Sequence, residues 1–179
     1  MSKEKGEKIM NTRQISSMIK SKSVLKNMFG GVFSSDMLPS KPRRNKPCCY
    51  IANTAHSNSE GVHWVCFFFD NDSPPEFFDS YGRPPQEEFK HFLGPEFLYS
   101  DKFVQHPLTS VCGQYCIFYI LKRSEGMTME RILALFKSDH MYNDVLVNLT
   151  IENYFNIDLD VVDMPYIQGQ ISRSFQNLV

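Results

Sequence analysis

Gln105-His-Pro-Leu-Thr-Ser-Val-Cys112-Gly113-Gln-Tyr-Cys116-Ile-Phe-Tyr-Ile-Leu121 is the stretch around which the chain is organised. Ile117, Phe118, Ile120 and Leu121 follow a loop-like Pro-Leu-Thr-Ser segment and predict a buried helix over residues 113–123, beginning near Gly113. Cys112 then stands at the positive end of the helix dipole, a setting that favours the thiolate of a thiol whose ordinary pKa is about 8.5. Gly113 leaves the backbone beside that thiol uncrowded, where a substrate must approach. The same run also fits a buried helix with a structural cysteine, the commoner fate of a free thiol, so the helix alone does not decide.

His63 lies in Gly61-Val-His-Trp-Val-Cys-Phe-Phe-Phe69, whose aromatic and β-branched content reads as a buried strand. Alternation along a strand puts His63, Val65, Phe67 and Phe69 on one face and Trp64, Cys66 and Phe68 on the other. It separates His63 from Cys66 and argues against a metal pair; no metal ligand set is assigned. A histidine starting an apolar strand can reach a cleft at the sheet end, although a core histidine bonded to backbone fits the same pattern. Asp79 closes the next apolar run, Pro75-Glu-Phe-Phe-Asp79-Ser-Tyr-Gly82, before a turn marked by Gly82 and Pro84-Pro85. There it either orients an imidazole or caps the turn. Gln105 precedes Cys112 on the loop leading into the helix, so its amide N–H groups could join the Cys112 backbone N–H around a developing oxyanion. Nucleophile Cys112, base His63, orienting carboxylate Asp79 and donor Gln105 are together the components of thiol-based peptide hydrolysis.

Ile51-Ala-Asn53-Thr54-Ala55, Gly61-Val62-His63-Trp64, Phe78-Asp79-Ser80-Tyr81-Gly82, and Gln105 followed by Cys112-Gly113-Gln-Tyr-Cys116 resemble the adenovirus-type cysteine endopeptidases (adenain). That family shares its fold and its His, Asp or Glu, Gln, Cys order with the SUMO-deconjugating proteases. The resemblance runs from about residue 30 to about residue 125, and the Asn-Thr-Ala stretch and the Gln-to-Cys interval favour the adenain branch, with a virophage or Polinton-type (Maverick) element as the implied source. It implies a papain-like fold in permuted order, catalysis by His63, Asp79, Gln105 and Cys112, and a substrate channel lined by Trp64 that admits glycine. The substrates implied are capsid or core precursor proteins cut at Gly-containing sites, inside a virion or an infected host cell. A ubiquitin-like deconjugating protease, or a catalytically silent capsid or DNA-binding module, are the competing readings. Met28-Phe-Gly-Gly-Val32 itself has the form of such a cleavage site.

The chain departs from the family in two places. Adenain has glutamate where Asp79 stands, a swap the wider superfamily allows. Adenovirus enzymes are activated by a peptide disulfide-bonded to a cysteine upstream of the glutamine, and Phe92 to Val104 holds no cysteine. The chemistry requires no cofactor, and any DNA or peptide activator is expected to bind without a disulfide.

Composition sets the frame. The 179 residues suit one domain, 1–179, and 42% hydrophobic content with fifteen Phe can fill a core. No secretion signal or membrane-length apolar run is visible, so neither secretion nor a membrane partner is expected. Five cysteines without dense spacing read as reduced thiols. Residues 1–46 carry eleven Lys or Arg against three acids, a net +8, while the rest carries eight against seventeen, a net −9. Residues 1–11 read as a flexible basic arm, and the basic stretch 1–46 as a candidate contact for DNA, although a lysine-rich terminus is more often simply solvated.

Elsewhere the periodicity predicts an amphipathic helix over 12–28, loop with short extended pieces over 30–47, and strands near 47–53, 62–70, 75–80 and 100–104. Helices follow from Met127 to Lys137, with Thr128 as N-cap, and from Asn143 to Phe155, and the tail from Asp163 reads as irregular. The order predicts an α+β domain: a mainly antiparallel mixed sheet flanked by helices.

Overall fold

The computed structural model describes residues 10–157 and 159 of the chain. Its elements run α1 (Thr12–Lys20), α2 (Ser23–Met28), β1 (Phe29–Phe33), a 3-10 turn (Ser35–Met37), β2 (Cys48–Asn53), β3 (Trp64–Phe69), β4 (Glu76–Phe78), α3 (Glu87–Leu93), β5 (Leu98–Tyr99), α4 (Cys112–Ser124), α5 (Met129–Ala134) and α6 (His140–Phe155). The α+β class is as expected. The tail from Asp163 and residues 1–9 of the basic arm lie outside the described residues. Met10 and Asn11, assigned to that arm, are anchored: Met10 is buried and Asn11 caps α1 through a reciprocal pair with Gln14.

One sheet takes the strands in the order β1-β2-β3-β4-β5. The inner pairs β2–β3 and β3–β4 are antiparallel, whereas β1–β2 and β4–β5 are parallel, so the sheet is evenly mixed rather than mainly antiparallel. Parallel neighbours need a crossover. The turn and Pro-rich stretch between β1 and β2 supply one, and α3 supplies the other.

Three expectations shift. The 12–28 helix is two helices: Ser21 Oγ bonds back to the Met18 carbonyl at 2.7 Å and Lys22 is extended (φ −113°, ψ 123°). β1 falls where loop was expected, because Phe-Gly-Gly-Val-Phe lacks apolar alternation. The glycines serve the sheet regardless, since a Cβ on Gly30 would lie 2.2 Å from the Tyr50 ring. Phe29–Val32 of the Met28–Val32 segment is therefore built into paired strand β1, with Met28 closing α2. The expected strand at 100–104 is absent: β5 ends at Tyr99, and only a single bridge joins Tyr81 to Phe103.

Strand alternation works as the sequence implied. Val65, Phe67 and Phe69 join Tyr50, Phe77, Phe89 and Phe92 on the α3 face, where Phe67 meets three rings edge-on at 5.3 to 5.4 Å. Trp64, Cys66 and Phe68 join the larger core with α1, α4 and α6 on the other face. With both faces covered, β2, β3 and β4 are buried at every position.

A buried polar lock sets the register of α4 on β4. Tyr119 O–H donates to Glu76 Oε2 at 2.6 Å, Arg123 pairs with the same oxygen at 2.9 Å, and Tyr119 stacks on Phe78 at 4.5 Å. Burial of a carboxylate requires such partners. Since α4 begins at Cys112 and β4 runs into Asp79, the lock also fixes the distance between these two ends.

Gly30→Ala is expected to lower unfolding free energy in urea by about 1–3 kcal/mol. Tyr50 cannot move aside, because its hydroxyl accepts from Arg43 N at 2.8 Å and its ring packs on Phe69 and Phe92. An unchanged denaturation midpoint would contradict the close approach.

Candidate active site

β3 and β4 pair with Cys66 opposite Phe78. Continuing that register beyond the ladder puts His63 opposite Tyr81 and Asp79 opposite Val65, so the three polar residues meet at one end of the sheet. His63 precedes β3 and remains tied to it through Thr54 N, which donates to the His63 carbonyl at 2.8 Å. His63, Asp79 and Cys112 are buried to 4%, 3% and 3% exposure, which limits competition from water.

The imidazole sits between two partners. His63 Nε2–H donates to Asp79 Oδ1 at 2.6 Å, and the Cys112 thiol lies close enough to act on the ring. Burial is the strongest influence on His63 and favours the neutral ring. The hydrogen bonds and charges of Asp79 and Cys112 outweigh it and raise the pKa to about 9. Asp79 Oδ1 accepts a second bond from Tyr81 N at 2.8 Å. Ser100 clamps the Asp79 backbone from both sides, accepting from Asp79 N at 2.9 Å and donating to its carbonyl at 3.0 Å. Tyr81 stacks on His63 with centroids 4.7 Å apart. An imidazole held in this way has its tautomer and plane fixed.

Cys112 is the first residue of α4, and Val111 supplies no side-chain cap, so the first-turn N–H groups face the thiol's neighbourhood. Gly113 differs from expectation. A Cβ there would lie 3.2 to 3.4 Å from Met10, Ile15 and Trp64, so glycine lets the chain's own α1 region approach α4 rather than leaving room for substrate. Trp64 is buried at 5% exposure, its Nε1–H donates to the Met10 carbonyl at 2.7 Å, and it lines a cavity of about 290 Å³ with Met10, Asn53 and Gly61.

Gln105 is fully buried. Ser80 Oγ–H donates to its Oε1 at 2.8 Å, which turns Nε2 towards the Thr109 carbonyl at 2.8 Å and the Tyr81 hydroxyl at 3.3 Å. Both amide N–H groups thus already have acceptors. The loop is anchored to α6: Asp144 accepts from Thr109 Oγ1 (2.7 Å), Tyr115 O–H (2.8 Å) and His106 N (3.2 Å), while Asn143 donates to the Val104 carbonyl (3.0 Å).

All four candidate residues lie within one hydrogen-bonded neighbourhood, linked through Tyr81. Sequence reasoning missed Tyr81, Ser80 and Ser100 as supports, although Ser80 and Tyr81 lie inside a motif it singled out. Asp144 had no local signal. Cys48, Cys49, Cys66 and Cys116 are buried free thiols, and Cys66 and Cys116 hydrogen-bond one another. Among the described residues no three His, Cys, Asp or Glu side chains gather as metal ligands would, and no helix is long and apolar enough to cross a membrane. Of the basic residues in 1–46, Arg43 and Lys46 bond internal carbonyls of Phe29 and Asp70.

No protein-family model matches the chain. No curated protein matches it either. Among solved structures, the ASFV pS273R protease is similar, with 23% identity and a TM-score of 0.41 over 57% of this chain. The chain covers 44% of that protein's length.

The raised His63 pKa has a stability consequence. A group whose pKa climbs on folding, here from 6.5 to about 9, contributes stability that is complete below pH 6.5 and is lost as pH rises through 9. Urea unfolding should therefore show a midpoint that falls between those pH values in the wild type, with a shallower fall in His63→Gln. Parallel curves for the two proteins would contradict the ion-paired imidazole.

Proposed function

We propose that the protein is a cysteine endopeptidase in which Cys112 is the nucleophile. The carrying observation is the buried Cys112 thiol beside an imidazole that Asp79 holds at Nε2. His63 takes the thiol proton, and the resulting ion pair, with the α4 dipole, supports the thiolate. The sulfur attacks the scissile carbonyl carbon, the C=O π pair moves to oxygen, and collapse of that tetrahedral species expels the amine as His63 returns the proton. Water activated by His63 then cleaves the thioester and regenerates the thiol. Asp79 keeps the imidazole in the working tautomer throughout. In this reading the oxyanion meets N–H groups of the α4 start and Gln105, which gives up its longer 3.3 Å bond to Tyr81 to reach it.

The finer reading rests on the sequence resemblance to adenain: a permuted papain-like protease cutting capsid or core precursors at Gly-containing sites during particle maturation, inside a virion or infected cell. The same resemblance assigns Trp64 to the wall of the substrate channel, and its ring lies beside Gly113, next to Cys112. DNA contact through the basic N-terminal stretch belongs to the same reading.

Quenched fluorescent peptides with and without a Gly-Gly-X site test both levels. Wild-type protein should cleave the Gly-Gly-X peptide preferentially. Cys112→Ser and His63→Ala should each lose at least about 10³-fold in kcat, and Asp79→Asn up to about 10⁴-fold. Iodoacetamide should label Cys112 ahead of the other four thiols, and His63→Ala should slow that labelling. Cleavage retained by Cys112→Ser would end the proposal. Trimming of ubiquitin-like precursors alone would move it to deconjugation, and labelling without cleavage of any substrate would favour a silent module.

A further inference from the structure

Tyr81 does more than pave the histidine. Its ring lies flat on His63, its backbone N–H holds Asp79, and its hydroxyl oxygen accepts from Gln105 Nε2, so one residue touches three of the four candidate groups. A phenol both accepts and donates. The accepting side is occupied by Gln105, whereas no side chain or carbonyl among the described residues takes the Tyr81 O–H proton. Arg83 lies over the Tyr81 ring at 4.9 Å and is not an acceptor. Gln105 shows the opposite pattern, fully buried with acceptors for both N–H groups.

We infer that the Tyr81 hydroxyl is an oxyanion donor, held and polarised by Gln105, so that the glutamine acts through the phenol. The inference rests on the proteolytic reading above and reassigns one of its contacts. Its geometry follows from two constraints. Ser80 takes Oε1 of Gln105, and Thr109, itself bound by buried Asp144, takes one N–H; the second N–H then meets the phenol oxygen. Stacking on a hydrogen-bonded imidazole fixes the ring plane and leaves only O–H rotation. The donor also stays protonated when needed: burial, then the nearby Cys112 charge, push the phenol above its ordinary value. A preorganised donor aimed at developing charge contributes most where water is excluded.

Tyr81→Phe keeps the stack and removes only the hydroxyl. Its effect is read with a peptide ending in glycinal, which Cys112 attacks to form an S–C bond as the C=O π bond opens and the thiol proton passes to oxygen. That adduct carries the tetrahedral oxygen of the reaction, whereas alkylation by iodoacetamide displaces iodide and creates no such oxygen. Tyr81→Phe should weaken glycinal binding and lower kcat by about 10²-fold, with KM and the pH profile of alkylation kept within about twofold. Gln105→Ala added to Tyr81→Phe should cost little more than Tyr81→Phe alone. Glycinal affinity within twofold of wild type in Tyr81→Phe overturns the inference and leaves the proteolytic reading standing. Alkylation slowed in step with affinity also overturns it, since Tyr81 would then act only by positioning His63. Wild-type protein that binds no glycinal fails the proteolytic reading and the inference with it.

Discussion

The contact between His63 and Asp79 is the constraint from which the rest of the arrangement follows. At 2.6 Å, with both side chains almost fully buried, neither group can be left alone, because an unpaired charge there would cost several kcal/mol. β3 and β4 must therefore pair in the register that brings residue 63 to the end of residue 79's strand, and a slip of β4 by one residue would turn Asp79 to the face opposite His63. The aromatic packing of Phe67 against Phe77, Phe89 and Phe92 stabilises that register far from the polar groups themselves.

The thiol reaches the pair by a different device. α4 is long, apolar and buried, and hydrophobic contact alone would let it slide along the sheet. Glu76 prevents this by engaging Tyr119 and Arg123, two and three turns beyond Cys112. The loop before α4 is held in turn by α6, where Asp144 and Asn143 satisfy its backbone and hydroxyl groups. Cys112 is thus located by its helix, its loop and the sheet together, and α6, which contributes no reacting group, takes part in locating it.

Much of the site was readable in the chain because its signals are local. A histidine opening an apolar strand, an aspartate closing the next, and a cysteine at a loop-to-helix junction all mark ends of elements, and element ends are where side chains leave the core. Gln105 was readable as a residue on that loop, but the direction of its amide was not, since Ser80 and Thr109 decide it. β1 was illegible because Phe-Gly-Gly-Val-Phe has no strand pattern of its own and becomes a strand by fitting under Tyr50. The parallel pairings escaped for a related reason, since crossover direction is a property of packing.

Residue order and periodicity by themselves determined the α+β class, the two faces of β3, and the identity of the four polar groups at element ends, because side-chain alternation and helix polarity are properties of a few consecutive peptide units. Only the tertiary structure decided that these groups meet, that His63 is charged well above its ordinary range, and that Gln105 turns to Tyr81. Those outcomes depend on burial and on partners as far apart in the chain as His63 and Cys112, and a one-dimensional pattern carries neither.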